Sequence, residues 1–383
     1  MNVFDVPSDP AFWQDPAPFY RSALQHGGGL FTISSGGYSV IGYQALFELG
    51  RDPRVEGFPF PEKGFGPGLD DLHRLLRWGL FALGAPQHRS LRLAAIAGLS
   101  SIRDDDIRQH ARRIAAELSA AMQQRRDADL VGDFCKPLAS RMFCRLLGLD
   151  ETEADGVTEA IDAITDQLNG VPDRAASANA AAAQLFASME RVAARSPVIS
   201  AINARLATNS PASAVDLTAS FIFDAVEMVA TGLFGVTDFL MRRDDFRDAI
   251  AAGAYSVKDA VQEAFRLVTP ATLTSRMALE TLEWRGQTIE QGTPLMMWWG
   301  SGNLDPAMFD EPERFHPNRP VRRHLAFGIG GHACIGRQFA STVAEEAVSA
   351  LLLDPEARVE PLGETVFLPR LARMAERARV TFA

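Results

Sequence analysis

Residues 327–337 read Phe-Gly-Ile-Gly-Gly-His-Ala-Cys-Ile-Gly-Arg, and the fold is decided by this stretch. Three glycines crowd the N-terminal side of Cys334, and Gly336 follows it. Glycine permits positive φ and lets a backbone approach a flat ligand closely. The residues from 337 onward, RQFASTVAEEAVSALLL, predict a helix. The sulfur of Cys334 should therefore lie at a helix N-terminus, where the dipole and free N–H groups favour a thiolate.

A lone cysteine beside a turn is more often a buried free thiol, but the surrounding pattern argues against that here. A thiolate at the mouth of a glycine-rich loop is a suitable single ligand for haem iron. The segment resembles the haem-binding signature of the cytochrome P450 family, with Phe327, Gly330, Cys334 and Gly336 at every fixed position. His332 fills the His-x-Cys place common in soluble bacterial members. The resemblance implies haem b with Cys334 as its axial ligand, and a cofactor site that includes Phe327, His332 and Gly336.

Two further motifs follow the order of the same family. Glu263-Ala264-Phe265-Arg266 resembles its Glu-x-x-Arg helix, in which residues three apart share a face and can pair. The spacing alone is also typical of surface pairs. The segment ERFHPNRP (313–320) resembles the meander whose arginine completes that ion-pair network. We assign this structural role to Arg314, with Arg319 as the alternative.

The resemblance also implies cationic ligands for the haem propionates. His88 and Arg92 lie one helical turn apart. They belong to a segment that resembles the family's haem-binding helix, Gly-Ala-Pro-Gln-His-Arg-Ser-Leu-Arg (84–92). Arg276 matches a third propionate ligand. Propionates in a dry site require such donors. Together the matches span roughly residues 10 to 383, nearly the whole chain.

Length and composition favour one large helical domain over residues 1–383. The chain has 47% hydrophobic and 22% charged residues and a formal charge of −10, which suits a large core and argues against nucleic acid. Its cysteines form no disulfide framework and no C-x-x-C pair, so a reducing, cytoplasmic location is expected. The N-terminus has no basic region before an apolar run, so we expect neither signal peptide nor anchor.

The periodicity predicts where the main elements lie. GGLFTISSGGYSVIG (28–42) predicts a hairpin around a Gly-Gly turn, and residues 16–24 a short helix. From about residue 86 to 266 the pattern is helical almost throughout, with a central helix at about 215–241; small strands return afterwards. The family resemblance implies the triangular, mainly α fold with small β-sheets, and haem between the central helix and the helix after Cys334.

The central helix departs from the family pattern. Members normally carry an acid followed by Thr, which helps deliver protons to dioxygen. Counting back from Glu263 places Glu227-Met228 there, so the acid is present and the hydroxyl is not; Asp224 lies on the same face. Met cannot donate a hydrogen bond. We assign Glu227, with Asp224, to proton transfer and Met228 to the oxygen-facing position; a shifted alignment would bring Thr231 there instead.

The expected reaction is insertion of one oxygen atom from dioxygen into a hydrophobic small molecule, by hydroxylation or oxidative dealkylation. Electrons should come from ferredoxin and ferredoxin reductase, docking on arginines near Cys334 (112, 113, 322, 323 and 337). A peroxide-driven peroxygenase and a non-catalytic haem protein are the alternatives. No nucleic acid or membrane partner is expected. By family position the substrate pocket comprises Phe58, Phe60, Phe65, Phe221, Phe223, Leu273, Phe367 and Leu368, mostly apolar.

Overall fold

The structure is a computed structural model that describes residues 3–58, 66–84, 86–125, 127–320, 323–367 and 372–383. Helices dominate this part of the chain. In chain order the α-helices are α1 (Pro10–Gln14), α2 (Ala17–Gln25), α3 (Tyr43–Leu49), α4 (Asp70–Leu76), α5 (Gln87–Ser100), α6 (Asp104–Gln123), α7 (Lys136–Leu147), α8 (Ala154–Leu168), α9 (Ala175–Val192), α10 (Pro197–Arg205), α11 (Ala214–Met241), α12 (Phe246–Ala251), α13 (Val257–Val268), α14 (Trp299–Asn303) and α15 (Arg337–Leu352).

The strands form three small sheets. They are β1 (Gly29–Thr32), β2 (Tyr38–Ile41), β3 (Val55–Gly57), β4 (Ala128–Asp129), β5 (Thr274–Ala278), β6 (Leu282–Trp284), β7 (Gln287–Ile289), β8 (Pro294–Met297), β9 (Val359–Pro361) and β10 (Arg379–Phe382). The largest sheet has the order β1-β2-β8-β5-β3, in which only the β2–β8 pair is parallel. Strands β4, β10 and β9 form a second sheet, and β6 and β7 a hairpin.

The mainly α architecture and the predicted elements are confirmed. The hairpin predicted around the Gly-Gly turn is β1–β2, with Gly29 opposite Ile41. The short N-terminal helix is α2, preceded by α1, which the sequence had not indicated. The central helix is α11. The helical stretch from 86 to 266 is interrupted by β4 and a π-helical turn at Leu130–Cys135.

The chain forms two compact units: unit 1 comprises Met1–Gly57, Ser119–Val131 and Thr231–Ala383, and unit 2 comprises Phe58–Leu118 and Gly132–Ala230. The expectation of a single domain stays a prediction. Unit 1 contains all of the strands found among the described residues. In unit 1, Phe12 and Tyr20 pack edge-on against Trp298, with their ring centroids 5.6 and 6.3 Å from the centroid of the indole.

Unit 2 is helical. Its helices α5 and α10 approach so closely that a Cβ at Gly98 would lie 2.7 Å from Ile202. Helix α11 begins in unit 2 and ends in unit 1. Among the described residues it alone is long and apolar enough to cross a membrane, yet 67% of its most apolar window is buried in the protein. Burial of this kind is typical of a core helix.

Candidate cofactor and active site

The cysteine loop is held in one shape by its backbone. The amide of Cys334 donates to the Phe327 carbonyl at 2.8 Å, which closes the loop just before α15. Gly330 has φ 73°, and a Cβ there would lie 2.0 Å from the Gly50 carbonyl, so only glycine fits. A Cβ at Gly336 would lie 3.8 Å from the Cys334 sulfur. Gly330 is therefore required by sterics, whereas a Cβ at Gly336 would make only an ordinary contact.

Cys334 differs in placement from the other cysteines. Its side chain is exposed, whereas Cys135 and Cys144 are buried. Burial raises the pKa of the Cys144 thiol to about 12, so that residue stays protonated and inert. Cysteine is among the residue types most often buried, so an exposed thiol at the start of a helix points to a ligand-binding role.

A second group of side chains in unit 1 surrounds the guanidinium of Arg276. Arg276 lies on β5, is 7% exposed, and donates from Nη1 to the Ser275 carbonyl at 2.9 Å. Burial lowers its pKa to about 10, and Glu56 on the neighbouring strand β3 partly offsets this. Burial raises the pKa of the Glu56 carboxyl. Glu56 Oε2 lies 2.6 Å from His332 Nε2, so it connects β3 to the residue two places before Cys334.

The Glu-x-x-Arg pair is deeply buried. Arg266 is 1% exposed and donates to Glu263 at 2.7 and 2.8 Å. The third member is Arg319, not Arg314: Arg319 Nε donates to Glu263 Oε1 at 2.9 Å, and Arg319 is 5% exposed. Arg314 instead points outward to Glu311 and contributes only its carbonyl, to which Arg319 donates. The assignment of Arg314 was wrong because the meander turns that side chain to solvent.

The structure adds members to this network that the motifs did not name. The His316 amide donates to Glu263 at 3.0 Å, and Arg266 donates to the Asn303 carbonyl at 2.7 Å. The Asn303 side chain accepts from the Leu325 amide at 2.6 Å, which ties α14 to the start of the cysteine loop. His324, beside it, is buried, and burial, together with Arg337 and Arg266, lowers its pKa to about 3, so the imidazole is neutral.

In unit 2, His88 and Arg92 lie on α5 one turn apart, as the motif predicted. His88 is 5% exposed and Arg92 is half-buried. Their assignment to the propionates stays a prediction, carried by the resemblance.

Helix α11 has one accessible stripe in its middle. Phe221, Asp224 and Met228 follow each other at three- and four-residue spacing and are half-buried, as is Glu227 beside them. The opposite face is closed: Ile222, Val226 and Ala230 are at most 3% exposed. Thr231 continues the stripe by spacing but is 0% exposed. The accessible stripe thus ends after Met228, which favours the alignment that places Glu227-Met228 at the acid–Thr position.

The acidic residues of α11 differ in their interaction partners. Near its start Asp216 accepts from Arg74 at 2.7 Å, and near its end Asp238 accepts from Arg242 at 3.0 Å. Asp224 makes no hydrogen bond or ion pair with any residue in the part of the chain that the structure describes. Burial raises the pKa of its carboxyl well above the ordinary value, and no neighbouring cation opposes this.

The predicted pocket residues have different surroundings in the structure. Phe221 packs edge-on against Phe143, with centroids 6.0 Å apart, and Phe223 is buried on α11. Phe58 is 46% exposed, and Leu273 is 2% exposed inside the core that contains Trp298. The structure therefore gives Leu273 a packing role. Phe367 is half-buried against Phe234, with centroids 5.8 Å apart. Phe60, Phe65 and Leu368 lie outside the described residues.

The arginines expected to meet an electron donor are only partly described. Arg323 and Arg337 are exposed in unit 1, and Arg337 lies 5.5 Å over the Phe327 ring. Arg113, in unit 2, is engaged by Glu117 and Glu151. Arg322 lies outside the described residues.

The side chains present fit haem. The guanidinium of Arg276, whose pKa is lowered by burial, is suited to bind an anionic propionate. An exposed thiol in a glycine-rich loop is suited to iron at Cys334. Glu56 is the site residue that sequence reasoning missed. It lies within a strand of ordinary appearance, and only the pairing of β3 with β5 brings it beside Arg276.

The chain is similar in sequence to known proteins of one family. The sequence model of the family described as "Cytochrome P450" matches residues 256–367. The chain is 28% identical over 290 residues to mycinamicin IV hydroxylase/epoxidase of Micromonospora griseorubida, covering 73% of this chain and 72% of that one. It is also 28% identical over 316 residues to 6-deoxyerythronolide B hydroxylase of Saccharopolyspora erythraea, covering 79% and 77%.

Solved structures extend the likeness to the whole fold. The crystal structure of P450BioI in complex with acyl carrier protein carrying hexadec-9Z-enoic acid superposes with a TM-score of 0.84, at 21% identity, over 98% of this chain and 99% of that one. The structure of CalO2 gives a TM-score of 0.85 at 23% identity, over 100% and 99%. The cysteine loop, the buried Glu-x-x-Arg network and these relatives all match the cytochrome P450 family.

Proposed function

We propose that this protein is a cytoplasmic haem-thiolate monooxygenase that inserts one oxygen atom from dioxygen into a hydrophobic small molecule. When bound, haem with a thiolate ligand supplies the activation of dioxygen and the oxidation of a substrate C–H bond, by hydroxylation or oxidative dealkylation. The observation that carries the proposal is the exposed Cys334 thiol, in a loop whose shape depends on Gly330. The two relatives named above, mycinamicin IV hydroxylase/epoxidase and 6-deoxyerythronolide B hydroxylase, are both hydroxylases by name.

In this proposal several side chains hold the cofactor. Cys334 is the iron ligand, with Phe327 and Gly336 shaping the loop around it. Arg276 and His332 bind propionates in unit 1, and the family resemblance adds His88 and Arg92. The Glu56 carboxyl forms a hydrogen bond with His332 Nε2 and thereby fixes the orientation of the imidazole ring.

Proton transfer is assigned to Glu227. Its carboxyl lies on the accessible stripe of α11, next to Met228, whose thioether cannot donate a hydrogen bond. A carboxyl that holds a proton at Oε and releases it toward the oxygen being reduced acts as a general acid. Water or a substrate hydroxyl takes the place of the missing Thr hydroxyl in orienting that proton.

Electrons are proposed to come from a ferredoxin and its reductase, which dock near the exposed Arg323 and Arg337. Comparing turnover with electron donors and turnover with peroxide separates this function from a peroxygenase. A protein that turns over with neither is a haem-binding protein without catalysis.

The ligand assignment is tested with cysteine variants. The reduced, carbon-monoxide-bound protein should show the absorption band typical of thiolate-ligated haem, and Cys334→Ala should abolish it. Cys144→Ala is the matched control, because that thiol is buried and protonated. A band that survives in Cys334→Ala, or disappears equally in Cys144→Ala, would refute the assignment.

A further inference from the structure

Asp224 stands apart from the other described acids on its helix. Asp216 and Asp238 each accept from an arginine within 3.0 Å, whereas Asp224 has neither hydrogen bond nor ion pair among the described residues. Its side chain is half-buried, and burial raises the pKa of its carboxyl well above the ordinary value. It also lies on the one accessible stripe of α11 rather than on the closed face.

An arrangement of this kind is unfavourable for folding. Burying a carboxyl without a hydrogen-bonding partner destabilises the folded state, and an apolar residue would remove that penalty. Proteins keep perturbed ionisable groups mainly at functional sites. A carboxyl placed in this way, on a helix face that is open to a ligand, therefore points to a partner that arrives with the ligand.

The neighbours of Asp224 define what kind of partner that is. Phe221, one turn before it, is packed edge-on against Phe143, and Ala225 and Met228 complete the stripe around it. These side chains are apolar, so they suit a hydrophobic ligand body. A single carboxyl within such a surface is satisfied best by a cation, because each charge then compensates the burial of the other.

We infer that Asp224 is a specificity-determining residue that binds a cationic nitrogen, and that the substrate is a hydrophobic molecule carrying one basic or quaternary amine. This inference rests on the proposed monooxygenase function and assigns its substrate class. Glu227, one turn along, keeps the proton-transfer role. The two carboxyls on the stripe thus divide into one that recognises substrate and one that handles protons.

The test uses two probes that differ in charge and hardly in shape. One is (3-phenylpropyl)trimethylammonium; the other is 4,4-dimethylpentylbenzene, in which carbon replaces nitrogen. A quaternary nitrogen has no lone pair and cannot ligate iron, so any response reports occupancy of the pocket. Affinities for the ferric haem protein are measured by the Soret change and by calorimetry.

The wild-type protein should bind the cation more tightly than its neutral isostere, by a factor on the order of ten or more, as expected for a desolvated charge pair. Asp224→Asn should remove this preference and leave the affinity for the neutral probe within about twofold. Glu227→Gln, the matched control one turn away, should keep the preference. Asp224→Ala repeats the test should the Asn variant load haem poorly.

Two results would overturn the inference: a wild-type protein with no preference for the cation, or a preference that persists in both Asp224 variants. A preference lost in Glu227→Gln instead would assign the cation to the wrong acid and overturn it equally. All variants are first checked for the thiolate band with carbon monoxide. Absence of that band in the wild type refutes the proposed function, whereas its presence with an unchanged probe ratio refutes only the role of Asp224.

Discussion

Replacing Arg319 by Ala is the perturbation that tests the buried network most directly. Its side chain donates from Nε to Glu263 Oε1 at 2.9 Å, and from Nη2 to the carbonyls of Glu311 and Arg314 at 2.9 Å each. A further contact joins it to the Asp310 carbonyl. Arg319 therefore neutralises a buried carboxylate and fixes the meander chain at the same time.

The expected loss follows from burial and from what remains. Removing one partner of a buried ion pair typically costs about 3–5 kcal/mol. Arg266 still donates to Glu263 in the variant, so the carboxylate keeps one cation. The loss should then lie near the lower limit, about 3 kcal/mol, with the stranded carbonyls included. Arg314→Ala is the matched control: that pair with Glu311 is 67% exposed on both sides, so its loss should be about 0–1 kcal/mol.

The assay is equilibrium urea unfolding, followed by circular dichroism and by haem absorbance, with midpoints compared at a common slope. Arg319→Ala should unfold at markedly lower urea and retain less haem, and Arg314→Ala should resemble the wild type. Arg319→Lys should recover only part of the loss, because an ammonium lacks the planar fork that reaches several acceptors. Equal effects of the two alanine variants would refute the placement of Arg319 in the network.

Three further predictions concern catalysis, pH and the electron donor. Glu227→Gln should slow electron-driven oxidation by about 10²–10⁴-fold and lower the product formed per reducing equivalent. If Glu227→Gln forms as much product per reducing equivalent as the wild type while Thr231→Ala forms less, the sequence alignment of α11 is wrong and Thr231 takes the role. Asp224→Asn should be more stable than wild type at neutral pH. Burial raises the pKa of the folded carboxyl above its ordinary value of 3.8, so the unfolded state loses its proton first, and wild-type stability falls as pH rises from that value toward the folded pKa. A variant whose advantage does not grow with pH, in unfolding measured at several pH values, would contradict the assigned burial. Reduction by ferredoxin should slow as salt rises, since Arg323 and Arg337 are exposed cations; stopped-flow rates that are flat with salt would exclude that docking face.

The sequence predicted the features that depend on local spacing. Gly330 must be glycine because the Gly50 carbonyl occupies the space of a Cβ. The cysteine motif that contains Gly330 could therefore be identified from the sequence. Glu263 and Arg266 are three residues apart on one helix, so their pairing needs no knowledge of the tertiary fold. The hairpin β1–β2 and helix α11 likewise follow from periodicity within one segment.

Features that depend on which way an irregular chain turns were not predictable in this way. Arg314 and Arg319 belong to one meander, and nothing in the spacing says which side chain enters the core; the structure places Arg319 inside. Glu56 lies beside Arg276 because β3 pairs with β5, and it also contacts His332; both partners are more than two hundred residues away in the sequence. Leu273 is apolar in a pocket segment, but its side chain packs in the core instead.

Met228 and Asp224 are best understood together. The stripe of α11 ends at Met228, a thioether at the position where the proposed alignment expects a hydroxyl, and it carries the Asp224 carboxyl one turn earlier. Since a thioether donates no hydrogen bond, every polar interaction on the described part of this stripe must come from Asp224 and Glu227 or from molecules bound to them. When the cation of a substrate binds Asp224, Glu227 is the acid that is left for proton transfer among the described residues of the stripe. Two acids one turn apart on α11 would then have separate roles: Asp224, which destabilises the folded protein, selects the substrate, and Glu227 supplies the proton.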